Sequence, residues 1–500
     1  LLSIGFGGVI TAEDFISEEP EHALPEIKAP SETSIEEIIS SETGTPEIQP
    51  DDTASKKDIE DYERILAFQR EVIPVLDETF HDIFPTVVDI EGDIKAETFD
   101  SNLLDEMTDY YFDNSNSNDL KVVFVVAKED QPEMKTLRAE LENKLGDKVI
   151  FKKAKKSLKE FQQMQEQVAE YIDETYDGRF AVTYNIETQA LDVEIASTDS
   201  NSQSLIPEPS LNNTEIAALN EMIGSEFINI ILTDELPEES IARNYPFSNL
   251  GGGQEIRLYR SATTEGLCTS GYVAYKDNQA FLVTAGHCLR YAAANQSTYS
   301  VREGNSADGF KTLGYEHWSG YNATSRYDFG LIRLTNSNLQ VTSRFYTDAN
   351  GGGINGQLKP YLPIGSSGIK VGLAINKSGN KTGITGATIT STGTTVDYGA
   401  GFTVAVIRSE LRSGYGELID GKYTAVAGSG DSGGTVYRAS DYALVGVQSG
   451  ISTGYTDQSG AQYGTVMYVS PAWYANSLLG STFYQYTRTY DTPVSQMQGL

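Results

Sequence analysis

The spacing of apolar positions changes character twice along the chain. Residues 13–57 are rich in Glu, Pro, Ser and Thr and have no apolar period, which predicts a flexible acidic leader. Over 58–83 (DIEDYERILAFQREVIPVLDETFHDI) apolar residues recur at helical spacing, and Pro74 marks a kink or break. Alternating elements follow. KVVFVVA (121–127) reads as a strand from its β-branched content, and PEMKTLRAELENKL (132–145) as a helix with proline near its start. KVIFKK (148–153) predicts a second strand. SLKEFQQMQEQVAEYIDETY (157–176) predicts an amphipathic helix capped by Ser157, with Glu160 three residues on. RFAVTYN (179–185) and ALDVEIA (190–196) predict a hairpin, and a short helix (214–223) and strand (227–232) complete an α+β module.

Residues 233–253 break this pattern with Pro, Gly and falling charge, and read as a linker. From Ile256 the chain becomes short apolar strands separated by Gly, Asn, Ser and Asp turns, among them AFLVTA, FGLIRL, KVGLAI, FTVAVI, ALVGVQS and GTVMYV. Helical text returns only at PAWYANSLL (471–479). This pattern predicts an all-β barrel or sandwich closed by a C-terminal helix. The Tyr-rich end (481–500) carries no period that assigns it a role.

Composition sharpens the division. The 500 residues have a formal net charge of −34, and their length suggests roughly two to four domains. From Ile241 onward there are 19 Lys+Arg and 16 Asp+Glu; before it there are 18 and 55. A strongly acidic module therefore precedes a nearly neutral one, and the overall acidity argues against a nucleic-acid partner. No apolar run is long enough for a spanning helix. Leu1 to Thr11 is apolar and small, and reads as the tail of a secretory signal peptide with a cleavage site after Ile10-Thr11-Ala12. Export is the resulting expectation. Cys268 and Cys288, the only cysteines, fit one disulfide or two buried thiols. No HExxH or CxxC spacing occurs, so neither a metal nor another cofactor is expected. His22 and His81 are isolated and read as structural.

Three passages of the β region carry chemistry: Leu282-Val283-Thr284-Ala285-Gly286-His287-Cys288, Arg326-Tyr327-Asp328-Phe329-Gly330-Leu331-Ile332 and Gly428-Ser429-Gly430-Asp431-Ser432-Gly433-Gly434. A lone histidine, aspartate or glycine-rich turn is more often structural than chemical. Together they change the reading. A serine hydroxyl needs a base within hydrogen-bond reach, and imidazole has a suitable pKa. That base needs a carboxylate to fix its tautomer, and glycines beside the serine let backbone N–H groups approach a developing oxyanion. The order His, Asp, Ser is one of the known orders.

The region from about Asn249 to Leu479 resembles the chymotrypsin-fold serine proteases, and within them the secreted bacterial enzymes of the alpha-lytic protease and streptogrisin type. TAGHC and GDSGG carry the resemblance, with KVGLAINKSGNKTGITG (370–386) and VDYGAG (396–401) pointing to the bacterial branch. It implies two six-stranded antiparallel β-barrels with a C-terminal helix, preceded by an α+β pro-region. It also implies His287 as general base and acid, Asp328 as its orienting group, Ser432 as nucleophile, and the N–H groups of Gly430 and Ser432 as the oxyanion hole. Asp431 would turn inward to pair with a cation, for which Lys377 is the matching residue where the family usually has arginine. Cys268 and Cys288 would form a disulfide. The substrate pocket would be walled by Val426, Ala427, Gly428 and Ser429 and by Gln448, Ser449, Gly450 and Ile451; no acidic residue marks its base.

The expected organisation is a signal remnant (1–12), acidic leader (13–57), pro-region (58–240), maturation linker (241–252), protease domain (253–482) and tail (483–500). Expected partners are protein or peptide substrates and the chain's own pro-region, acting as folding aid and inhibitor. Two other readings stand beside this one. One is a catalytically silent binding or adhesion protein, and the other an esterase using the same three residues.

Overall fold

The computed structural model describes the chain from Ser55 to Met497, apart from residues 85, 92–93, 100, 177–178, 197–212, 234–236, 239–248, 262–263, 278, 290–299, 304–310, 347–353, 359–367, 480–482 and 486–491. The signal and leader expectations and most of the maturation linker lie outside the described residues.

The acidic module opens with α1 (Lys56–Ile83), started by a capping box in which Ser55 Oγ accepts from Asp58 N and Asp58 accepts from Ser55 N. Of the kink or break that Pro74 marks in the sequence, the helix shows no break. An interior proline costs about 3 kcal/mol or more. Here the same helix buries Val72, Ile73, Leu76 and Phe80, each worth about 1.5–3 kcal/mol. Tertiary burial therefore outweighs the local penalty. Strands β1 (Thr108–Asp113), β2 (Lys121–Val126) and β3 (Val149–Lys153) form one sheet, antiparallel then parallel, with α2 (Pro132–Leu145) as the crossover. Helix α3 (Leu158–Thr175) starts on the expected Ser157–Glu160 capping box and packs on β4 (Phe180–Asn185), β5 (Ala190–Ala196) and β6 (Ile228–Thr233).

In the β region, six strands close into a ring: β7 (Ala374–Gly379), β8 (Gly383–Asp397), β9 (Val404–Leu411), β10 (Thr435–Arg438), β11 (Leu444–Ser452) and β12 (Val466–Pro471). The order is β7-β10-β11-β12-β9-β8, and β7 pairs back onto β8. Helix α4 (Ala472–Leu479) follows, where a C-terminal helix was expected. The preceding half, residues 255–334, contributes seven strands to an eight-stranded sheet. Its eighth strand is Phe483–Gln485, from the tail, paired with Ala274–Lys276. Asn249–Gly252 pairs in parallel with 340–345, and Leu250 is fully buried, so the β fold begins ahead of residue 253. The tail then reaches back across this half. Thr492–Pro493 pairs with Gln340–Val341, and Val494 and Met497 fill the core beside Leu250, Ile332 and Val341.

The two modules share structure. Strand β4 pairs antiparallel with the end of β8, from Thr183↔Thr394 to Phe180↔Asp397, so the sheet runs on through β4-β5-β6. One hydrophobic cluster contains Phe80, Phe112 and Phe124 together with Ile375, Ile389 and Val469. Around Gly372 the junction is polar and buried. Phe112 N donates to Val371 O (2.8 Å), Gln69 Nε2 and Asn114 Nδ2 both donate to Gly372 O (2.9 and 2.6 Å), and Lys370 Nζ meets Asp109 Oδ1 at 2.6 Å. Arg412 lies against the rings of both Tyr62 and Tyr415, 3.7 and 4.4 Å from their centroids, which suits a guanidinium withdrawn from water.

Candidate active site

Two neighbouring strands deliver the first pair. Gln279–Thr284 and Gly330–Leu334 are hydrogen-bonded with Thr284 opposite Gly330. The turn after the first carries His287, and the residue two before the second is Asp328. Gly286 makes this approach possible, since a Cβ there would sit 2.6 Å from Phe329 O. Asp328 is fully buried, and each of its oxygens is used. Oδ1 accepts from His287 N at 2.7 Å; Oδ2 lies 2.8 Å from His287 Nδ1 and accepts from Ser449 Oγ at 2.5 Å. Burial works to raise the Asp328 pKa, but the neighbouring His287 and these hydrogen bonds hold it below the ordinary aspartate value. A buried carboxylate kept ionised in this way fixes a proton on Nδ1 and leaves Nε2 as the basic nitrogen.

Ser432 comes from the six-stranded ring, on the loop entering β10. Its carbonyl accepts from Thr269 N at 2.7 Å and the Gly430 carbonyl from Thr269 Oγ1 at 2.6 Å, which ties the serine loop to the other half of the β region. Gly430 (φ +122°) and Gly433 (φ +88°) hold conformations that side chains resist, and a Cβ on Gly433 would meet Thr284 Oγ1 at 2.0 Å. His287 Nε2 is buried and has no hydrogen-bond partner among the described residues; the Ser432 hydroxyl lies 3.4 Å from Ser449 O.

Asp431 points away from the serine into a fully buried cage. It accepts from Lys377 Nζ (2.9 Å), Thr382 Oγ1 (2.7 Å), Thr382 N (3.1 Å), Lys381 N (2.7 Å) and Gly428 N (2.9 Å). Burial again works to raise its pKa, and the Lys377 ammonium overrides that to keep it low. Cys268 and Cys288 form a disulfide, with Cα atoms 6.4 Å apart, directly behind His287. Among the described residues, the group of donor atoms close enough for a metal is Cys268, His287 and Cys288, and both sulfurs are committed to that bond.

The wall residues named from sequence split in role. Val426, Ala427 and Ile451 have fully buried side chains in one hydrophobic cluster with Met467. Ser429 exchanges hydrogen bonds with Gln462, and Gly428 faces Tyr463 and Lys381. Gln448 is fully buried, and Gly450 admits the ring of Tyr398, which a Cβ would meet at 2.5 Å. Residues 237–238, just beyond the acidic module's last strand, pair antiparallel with Ile451–Ser452 at the end of β11. Sequence reasoning named Ser449 only for its backbone and missed its hydroxyl's contact with Asp328. It also missed Thr382 and Tyr398. Tyr398 lies in the VDYGAG passage already singled out for its resemblance. A cavity of about 490 Å³ lies elsewhere, at the junction of the modules, where Asp113, Glu194, Thr390 and Arg408 are among its lining residues.

The paired β structures thus carry a histidine on a buried aspartate, and the serine loop is tied to the same half of the β region through Thr269. Residues 258–474 match the trypsin family. The chain is similar to serine protease 1 of Streptomyces fradiae, 29% identical over 39% of this chain and 44% of that one. Glutamyl endopeptidase 2 of Streptomyces griseus is 28% identical over 41% of this chain and 85% of that one. The chain thus spans under half the length of the first relative. Thermobifida fusca protease A is 23% identical, with a TM-score of 0.31 over 48% of this chain and 99% of that one. No helix among the described residues is long and apolar enough to cross a membrane.

Proposed function

We propose that the chain is the precursor of a secreted serine endopeptidase, with Ser432 as nucleophile, His287 as general base and acid, and Asp328 orienting it. In this reading Ser432 Oγ attacks the substrate carbonyl and its proton passes to His287 Nε2. The tetrahedral oxyanion is met by the N–H groups of Gly430 and Ser432. His287 then protonates the leaving amine as an acyl-enzyme forms, and water reverses the sequence. The observation that carries the proposal is the buried Asp328–His287 pair beside a serine loop clamped from behind by Lys377 and Asp431. A silent binding protein has no need of the whole assembly; an esterase would use the same three residues, and activity on casein or a peptide library separates that reading from this one.

The acidic module is the pro-region in this reading. It is supported by the pairing of residues 237–238 with Ile451–Ser452, since an extended peptide would add a strand along that edge. The module would then hold the cleft closed until the chain is cut between about Ile241 and Gly252. The wall segments 426–429 and 448–451 hold no acidic side chain, which weighs against a basic residue before the scissile bond, and the glutamyl preference named for one relative is not carried over. The test is intact mass and N-terminal sequencing of the expressed product, beside Ser432→Ala. A wild type starting within 241–252 and a full-length mutant are expected. A product cut within 241–252 that stays unreactive toward a fluorophosphonate probe would refute the proposal.

A further inference from the structure

The Ser449 hydroxyl has a single proton, and its 2.5 Å contact places that proton on Asp328 Oδ2. The Tyr398 hydroxyl lies 2.9 Å from the same Ser449 Oγ, so Tyr398 must be the donor of that second bond. The geometry points to Tyr398 as a positioning residue for the Ser432–His287–Asp328 centre: its hydroxyl locks Ser449 as a donor to Asp328, and so fixes the carboxylate that orients His287. This inference rests on the protease reading above.

The surroundings are built for such a relay. Tyr398 is buried at the end of β8, its ring edge-on to Tyr468 and seated against Gly450. Burial, together with the Asp328 charge, pushes its phenol well above the ordinary tyrosine value, so it keeps its proton across the working range. The preceding residue, Asp397, is paired with Phe180 of the acidic module, which anchors the strand that carries the ring. The groups around His287 and Asp328 are Ser449 on β11, Tyr398 just past β8 with Tyr468 behind it, and Tyr321, whose ring is edge-on to His287 at 5.8 Å, with Ser432 on its loop near the Ser449 carbonyl. Of these side chains and the pair itself, Asp328 alone is an acid ionised at neutral pH. Its proton affinity therefore depends on what donates to it.

Removing the tyrosine hydroxyl frees Ser449 to turn its proton elsewhere. Asp328 is then less well satisfied and holds the imidazolium of His287 more tightly, so the acid limb of activity moves to higher pH. The experiment measures the rate of fluorophosphonate labelling at Ser432 against pH, on enzyme obtained from the full-length chain. Tyr398→Phe, Ser449→Ala and the double variant are compared with wild type. Tyr398→Phe keeps the ring and is expected to raise the limb by about half a unit. Ser449→Ala should move it at least as far, and the double variant no further than Ser449→Ala alone. A limb at the wild-type position in either single variant, or additive shifts in the double, overturns the relay. Ser449→Ala leaves Tyr398 intact, so the relay stays refutable even where Tyr398→Phe does not accumulate. A wild type that never labels overturns the protease reading itself.

Discussion

Replacing Lys377 with alanine is the sharpest test of how the serine loop is held. The ammonium and the Asp431 carboxylate are both fully buried, 2.9 Å apart, and neither touches the triad. Removing one partner of a buried pair typically costs about 3–5 kcal/mol because a charge is left unpaired. Asp431 would keep four donors, Thr382 Oγ1, Thr382 N, Lys381 N and Gly428 N, so the lower end applies. About 3 kcal/mol corresponds to roughly 6–12 °C in thermal midpoint for a domain of 150–250 residues. The sign of the pH dependence follows from the carboxylate. With Lys377 present, its folded pKa lies below the unfolded value of about 3.9. It then stabilises the fold above that value, and the contribution is lost as pH falls through the folded pKa. Without Lys377, burial raises the folded pKa above 3.9, and the variant regains stability as pH falls toward it. The gap between the two proteins should therefore be widest near neutrality and narrow in acid. The assay is thermal unfolding from pH 4 to pH 8 in a Ser432→Ala background, with fluorophosphonate labelling in the active background. A variant within 1 kcal/mol of wild type that labels at full rate would refute the reasoning, as would a gap independent of pH.

Other outcomes follow from the same structure. Gly372→Ala puts a side chain at φ +85° with its Cβ 2.0 Å from Phe112 O, so it should cost about 2–4 kcal/mol and loosen the junction between modules, read as faster proteolysis within residues 55–240. Met497→Ala empties a fully buried site in the first β half and should cost about 2–5 kcal/mol in urea unfolding, although the residue is far along the tail from the triad. Reducing the Cys268–Cys288 bond, or replacing both cysteines with serine, should lower stability by about 2–4 kcal/mol, measured as an earlier thermal midpoint.

The sequence showed most of what local chemistry decides. The Ser157–Glu160 capping box, the β2-α2-β3 order and the strand-rich second half follow from periodicity and end signals, and two of the motif passages supplied the pair His287 and Asp328 that meets in the fold. What stayed hidden depends on contacts between distant residues. Pro74 looks like a breaker because the burial of Leu76 and Phe80 is not written locally. The tail 492–497 has no period, yet two of its side chains complete a core built from residues 250–341. Lys370 and Asp109 are ordinary charges in sequence and become a buried pair across the junction only in the fold. Ser449 was assigned a backbone role because nothing in GVQSG signals that its hydroxyl faces Asp328.

The shared sheet also has a consequence in time. Thr183 and its cross-strand neighbour Thr394 are 211 residues apart in the chain. At about 5–20 residues per second, synthesis takes at least roughly ten seconds to bring one to the other. Through that interval the outer edge of Phe180–Asn185 stands open, a row of backbone donors and acceptors able to pair with any strand it meets. Sister chains emerging from neighbouring ribosomes offer the same edge. The excess of acidic residues before Ile241 makes two such nascent modules repel each other, so the partner that reaches the edge first is the same chain's own later half.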